Sequence, residues 1–423
     1  MYSKFTIRNF RSYQGEQTLR FAIPKAGLPG SGITYVVGEN NAGKTTLVEG
    51  IRINGDTPLR SSEIRGIGPV LQIFRYSEEK EVVAQKVSLL RENSNQVSVD
   101  PKINNDERFE IIPSRRHWNH LVFNEYTDST FSAQTTNVKL RSQDIDQMTS
   151  SALESIEKDS DRYVEFIKLV KRVITNFSSF TIGFEDQKFV EYLTNDGKKH
   201  RSDFLGDGVI SILRILLQIF ANTNRPLIID EPELSLHPLA QKRLLKIIAE
   251  YACNRQIIVS THSPYFIDWT YIKNGAAVNK VAKNDDQVSE IHCLKPYHEY
   301  RKLVDSANWQ QPFLMDIVSK EIFFHDNILF VEGQEDVGLL QSDGQLSDCI
   351  NIFGYGVRGK DSFTLALALA RDLGIKKASA ILDGGESESS IKTSLGSGPV
   401  DQSQKMTVAA RAMAEKKAVG HLS

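Results

Sequence analysis

"ITYVVGENNAGKTTL", residues 33–47, decides how the rest of the chain is read. The apolar run Ile33–Val37 has the length and bulk of a buried strand, and a glycine-rich turn carries it into a helix candidate. Gly38, Gly43, Lys44 and Thr45 match G-x-x-x-x-G-K-[ST]. The pattern has a chemical logic. Backbone N–H groups and a helix N-terminus wrap phosphate, the lysine meets the β/γ-phosphates, and the hydroxyl ligates Mg²⁺. Asn40, Asn41 and Thr46 complete the expected nucleotide-binding set. The strand before and the helix after argue against a chance glycine turn.

Upstream, "KFTIRNF" and "QTLRFAI" alternate as strands do; downstream, "PVLQIFRYSEE" and "VVAQKVSLLRE" predict a hairpin. From about Ser94 to Lys199 the pattern turns polar and mixed, with one amphipathic helix expected over residues 150–177. Leu153, Ile156, Tyr163, Phe166, Ile167, Val170 and Val173 share a face there, which predicts packing on its own domain more than a dimer contact. A second α/β pattern starts at "NILFVEG", and a domain boundary is expected near Gln311. The 423 residues suit two or three domains, and a net charge of −2 gives no general basic character to attract nucleic acid. Cys253, Cys293 and Cys349 lie far apart, without metal or disulfide spacing, so a reduced cytoplasmic setting is expected. The polar N-terminus lacks a signal-peptide core, and "VISILRILLQIF" is too short to span a membrane.

Three further stretches belong with the phosphate loop. "PLIIDEPELSLHP" ends an apolar strand in Asp230-Glu231. Asp230 is suited to hold Mg²⁺ and Glu231 to polarise the attacking water. Two solvated acids at a helix cap are the plainer alternative, weakened by the "SLHP" that follows. In "STHSPYFID", His262 sits one strand later, within expected reach of the γ-phosphate. "SDFLGDGVISIL" is a glycine-flanked turn opening a helix, whose N–H groups can face an anion.

In this order the four elements resemble the ATP-binding-cassette ATPase head. The likeness is closest to the RecF-like and structural-maintenance-of-chromosomes branch, whose first strand carries words like "IRNFRSY", residues 7–13. The resemblance covers about residues 1–300. It implies ATP and Mg²⁺ as cofactors and a mixed sheet with a β-rich lobe and a helical insertion. It also implies a head-to-head dimer or higher oligomer, in which the signature turn, Leu205, Gly206 and Gly208, completes the partner's site. The usual signature has serine and glycine where this chain has Gly206 and Asp207. An acid there repels a γ-phosphate, so either Asp207 turns away or turnover is slow. "GDG" is similar to signatures of the overcoming-lysogenization-defect (OLD) type. Gln72 and Gln85 are both candidates for the glutamine that helps hold Mg²⁺.

Residues 311–423 offer "NILFVEGQEDVGLL", "INIFGYGVRGKDSF" and "KKASAILDGGESE". Acids at the ends of parallel strands converge at one sheet edge, and the "VEG…LDG" words resemble a Toprim domain. The resemblance implies Glu332 and Asp383 in a metal site with Asp336 near it. Toprim domains carry D-x-D where this chain has Asp383-Gly384-Gly385, which departs from a nuclease site. Residues after Gln402 are expected to form a final helix. "SRRHW", Arg115 to Trp118, reads as a structural Arg–acid network ahead of a phosphate-backbone contact.

The sequence therefore predicts an α/β protein: an ABC ATPase head at 1–310, with roughly 94–199 inserted, and an incomplete Toprim-like domain at 311–423. OLD-like resemblance implies work on DNA in bacterial defence against phage. In one reading the head is a sensor or scaffold for a separate effector, as in the ATPase component of a two-gene PARIS-type system. In another, ATP regulates the chain's own Toprim nuclease. A RecF-like repair ATPase is a third.

Overall fold

In the computed structural model the described residues are 1–53, 64, 68–77, 80–89, 97–101, 103–104, 107–114, 142–184, 188–201, 207–221, 225–294, 318–342, 351–354, 356–357, 366–367, 369–382 and 405–410. The chain divides into two compact units, Met1–Val36 with Thr45–Ala277, and Val37–Lys44 with Val278–Ser423. The expected boundary near Gln311 lies outside the described residues. Among the described residues no helix is long and apolar enough to cross a membrane.

The first unit opens with the antiparallel pair β1 (Tyr2–Arg8) and β2 (Glu16–Arg20). Next come β3 (Ile33–Val37) and α1 (Lys44–Arg52). β4 (Gly68–Ser77), β5 (Lys80–Leu89) and β6 (Val97–Val99) then extend the first pair into an antiparallel sheet of order β2-β1-β4-β5-β6. This sheet is the expected β-rich lobe, and β4–β5 is the expected hairpin. At the turn after β1, Arg11 takes a left-handed conformation (φ 51°) and forms an ion pair with Glu49 of α1.

β7 (Glu110–Ile112) follows, then α2 (Ser142–Glu157) and α3 (Ser160–Val173). The single helix expected here is two, and the reason is local. Asp159 leaves helical geometry and accepts the Arg162 N–H (3.2 Å), satisfying one of the first-turn donors of α3. Leu153, Ile156, Phe166, Ile167, Val170 and Val173 are buried as expected. The Tyr163 hydroxyl donates to the Phe180 carbonyl (2.7 Å). Phe180 lies in β8 (Phe177–Phe184), which continues through β9 (Lys188–Thr194) to β10 (Lys199–Arg201) as a small antiparallel sheet. The helix pair packs within its own unit, against this sheet and α4 (Asp207–Ala221).

β11 (Leu227–Asp230), α5 (Pro238–Tyr251), β12 (Ile257–Ser260) and α6 (Trp269–Asn274) complete the unit. β3, β12, β11 and β7 run side by side, all parallel. Every residue of β3, β11 and β12 is buried, which is why these strands read as unbroken apolar runs. β7 comes from the segment expected to be an insertion, yet it pairs with β11. Its Glu110 carboxylate is buried and held by Arg255 (3.1 Å) and Arg225 (3.2 Å). A buried charge is tolerated only with such partners.

In the second unit, β13 (Ala277–Lys283) and β14 (Ser289–Cys293) form an antiparallel pair. The Lys280 side chain is fully buried and meets Asp326 Oδ1 at 3.1 Å, directly before β15 (Asn327–Val331). Burial pushes the Lys280 ammonium pKa down, and Asp326 opposes that shift. α7 (Gln334–Ser342) follows, then β16 (Lys377–Leu382) and β17 (Lys405–Ala410), with β15, β16 and β17 parallel. The expected final helix is thus corrected: Lys405–Ala410 is a strand. "KMTVAA" is too short to show a helical period, and pairing to β16 overrides local preference.

Candidate nucleotide site

Strand register sets the acidic pair. Asp230 of β11 lies level with Ser260 of β12, and Ser260 with Val36 of β3. The carboxyl ends of three adjacent parallel strands therefore coincide, and ligands of such sheets bind outside that edge. From Val36 the chain passes directly into the phosphate loop.

Within its own unit the loop closes on Lys44. This side chain is buried, and Nζ donates to the carbonyls of Gly38 and Glu39, 2.9 Å each. The Ser289 hydroxyl donates to the Ala42 carbonyl (2.6 Å). Asn41 and Gly43 adopt positive φ (64° and 119°). Gly38 has φ 140°, and a Cβ there would fall 2.1 Å from the Val281 carbonyl oxygen, so only glycine fits. Thr45 and Thr46 occupy the first turn of α1.

At the strand ends Asp230 is only 4% exposed. Glu231 follows in a left-handed conformation (φ 49°), its N–H donating to the Ser260 carbonyl (2.8 Å). For a non-glycine residue this conformation costs on the order of 1–3 kcal/mol, and such strain collects at functional sites. His262, two residues past β12, brings Nδ1 to 3.7 Å from Glu231 Oε1, so the structure unites the two predicted catalytic residues. A third acid joins them: Glu233 Oε1 lies 3.1 Å from His262 Nδ1 and accepts the His262 backbone N–H (2.7 Å). Burial pushes the Glu233 carboxyl pKa up, and the His262 N–H and charge oppose that shift. Sequence reasoning missed Glu233. The acid stands in plain view in "DEPE", but only folding brings it to a residue 29 positions away.

Leu205 and Gly206 of the signature turn lie outside the described residues. Gly208 is in the first turn of α4, and a Cβ on it would meet the Ser235 carbonyl oxygen at 2.4 Å. Its missing side chain is already required inside its own chain, which sequence reasoning assigned to a partner's nucleotide alone. Gln85 Nε2 donates to the Ile53 carbonyl (2.8 Å), so this glutamine serves the fold. Gln72 is half-buried on β4, level with Thr6 and Lys86.

Asp230 and Thr45 offer hard oxygen donors, which fit Mg²⁺. That ion takes one or two protein ligands and fills its shell with phosphate oxygens and water. Among the described residues no three His, Cys, Asp or Glu side chains group to hold a metal by themselves. In the second unit Glu332 follows β15 half-buried. Asp336, buried in the first turn of α7, accepts the Gly333 N–H (3.1 Å). Asp383 and the Arg115–Trp118 cluster lie outside the described residues.

Over 187 residues, 41% of this chain and 34% of the relative, the sequence is 29% identical to an OLD nuclease of Thermus scotoductus. The chain thus spans about a third of the length of the curated relative it matches. Among solved structures, the SMC head domain from Thermotoga maritima is similar at a TM-score of 0.42 and 12% identity, over 70% of this chain and 99% of that one. An Smc head domain with an extended coiled coil, bound to the C-terminal domain of ScpA and derived from Pyrococcus furiosus, gives 0.47 and 13%, over 73% and 99%. One family, described as "AAA domain, putative AbiEii toxin, Type IV TA system", matches residues 33–268. That match takes in the phosphate loop, the acids that end β11 and His262, and it covers more than half of the chain, which therefore belongs to this AAA-type ATPase family.

Proposed function

We propose that the chain is an ATP-hydrolysing head of the ATP-binding-cassette kind, at residues 1–310, that controls a nuclease or toxic effector in bacterial defence against phage. The observation that carries this reading is the meeting of Glu231 and His262 at the level ends of β11, β12 and β3. Lys44 binds the β/γ-phosphates, and Thr45 and Asp230 would hold Mg²⁺, whose chemistry is to neutralise phosphate charge. Glu231 orients and deprotonates the attacking water, and His262 contacts the γ-phosphate. Two heads engage around ATP, with Leu205, Gly206 and Gly208 of each completing the other's site. The family description, with its toxin and toxin–antitoxin terms, supports the effector role. A cytoplasmic setting suits the half-buried thiols Cys253 and Cys293.

Purified Glu231→Gln protein tests the reading. It should bind Mg²⁺-ATP, release no phosphate, and double its mass by light scattering; hydrolysis at the parental rate, or a monomer in saturating ATP, rejects it. The similarity to an OLD nuclease favours a second reading, in which residues 311–423 form a Toprim-like nuclease using Glu332, Asp336 and Asp383. The parallel strands β15, β16 and β17 support it, and Gly385 in the usual ligand position opposes it. Supercoiled plasmid with ATP and Mg²⁺ or Mn²⁺ decides between the two. Nicking lost in both Glu332→Ala and Asp383→Ala selects the nuclease; intact plasmid and a co-purifying second protein select the scaffold.

A further inference from the structure

Glu233 lies outside the set of groups that act on ATP in the reading above, yet it is placed where His262 is held. The carboxylate side chain is 5% exposed, against 34% for the His262 side chain. One oxygen, Oε1, receives the His262 backbone N–H at 2.7 Å and sits 3.1 Å from ring Nδ1. The loop that follows is braced as well: the Ser263 hydroxyl donates to Gln241 Oε1 (2.6 Å), and its N–H donates to Thr261 Oγ1 (3.0 Å). Nδ1 is buried at ion-pair distance from the Glu233 carboxylate, while a third of the His262 side chain is exposed. A carboxylate against one ring nitrogen fixes both the tautomer and the direction of the other.

We propose that Glu233 is a positioning residue for ATP hydrolysis: it anchors backbone and ring of His262 with a single oxygen, keeps a proton on Nδ1, and turns Nε2 toward the γ-phosphate. This rests on the assignment of His262 to the nucleotide site. Glu231, 3.7 Å from the same nitrogen, is left to the water.

The test is a double-mutant cycle on the full chain with Glu233→Gln, His262→Ala and the pair. The glutamine oxygen still accepts the His262 N–H, so the fold is kept while the charge beside Nδ1 is lost. Expected for Glu233→Gln is a kcat lower by about tenfold with KM and ATP affinity within about twofold. In the His262→Ala background the same change should have no effect. Glu233→Asp, which keeps the charge and withdraws it by one methylene, should also lower kcat at unchanged KM. A kcat within twofold of the parent overturns the proposal, as does an equal loss in the His262→Ala background or a parallel fall in melting temperature and affinity. Ring ¹⁵N spectra of histidine-labelled protein provide a readout independent of turnover. The His262 proton should sit on Nδ1 in the parent and redistribute in Glu233→Gln; identical spectra overturn the proposal. A parent that binds ATP without hydrolysing it refutes the ATPase reading instead, and the spectra then decide the role of Glu233.

Discussion

Gly38→Ala puts the phosphate loop to the test with numbers. The backbone there has φ 140°, and an alanine Cβ would lie 2.1 Å from the Val281 carbonyl oxygen and 3.1 Å from its carbon. A non-glycine residue held in such a conformation costs about 1–3 kcal/mol. Forcing a methyl group into a filled space costs about another 1–3 kcal/mol. A loop without nucleotide relieves both by moving, whereas phosphate binding demands the parental geometry. The combined cost of roughly 2–6 kcal/mol therefore falls on affinity, a weakening of about 30-fold to 10⁴-fold. Gly15→Ala is the control. Its φ of 65° carries backbone strain, but nothing lies within 4 Å of the new methyl, and the turn is remote in sequence from the loop. Titration with a fluorescent ATP analogue in Mg²⁺ reads both variants, with circular dichroism confirming the fold. Gly38→Ala binding within threefold of the parent would refute the account of the loop.

Gly208→Val should lower stability by about 1–3 kcal/mol even in the monomer without nucleotide, because Cβ meets the Ser235 carbonyl at 2.4 Å; an unchanged urea midpoint argues against that packing. Asp159→Ala removes the cap of α3 and should destabilise by about 1 kcal/mol, read as a lower melting temperature with little change in ATP affinity. The Glu233 carboxyl has its pKa raised by burial, so the folded state holds this proton more tightly than the unfolded one. Its contribution to stability is therefore present below the ordinary carboxylate range and is lost as pH rises through the folded value. The urea midpoint of Glu233→Gln should accordingly gain on the parent as pH rises from about 4.5 to 7.5; a flat or opposite difference contradicts the shift.

The strands and turns that carry the candidate nucleotide residues were legible because their information is local. Gly38 to Thr45 is a contiguous loop, and Asp230 and Glu231 end an apolar run, so spacing and strand pattern were enough to name them. The helix break at Asp159 was equally local, an acid at a cap, but the apolar stripe on either side masked it. Longer-range facts needed the fold. Glu233 meets His262 only because β11 and β12 lie side by side in register, and no periodicity carries that pairing. Gly208 faces the Ser235 carbonyl for the same reason: close approach between segments belongs to packing. β7 is a three-residue strand whose pairing partner lies far along the chain, and β17 was masked by the alanine- and lysine-rich run that follows it. Sequence by itself determined where the glycine-rich loop and the paired acids fall, since each directly follows or ends an apolar strand. Tertiary structure alone decided which groups surround His262 and which glycines are indispensable, because contact across elements depends on register and distance, which a linear chain does not carry.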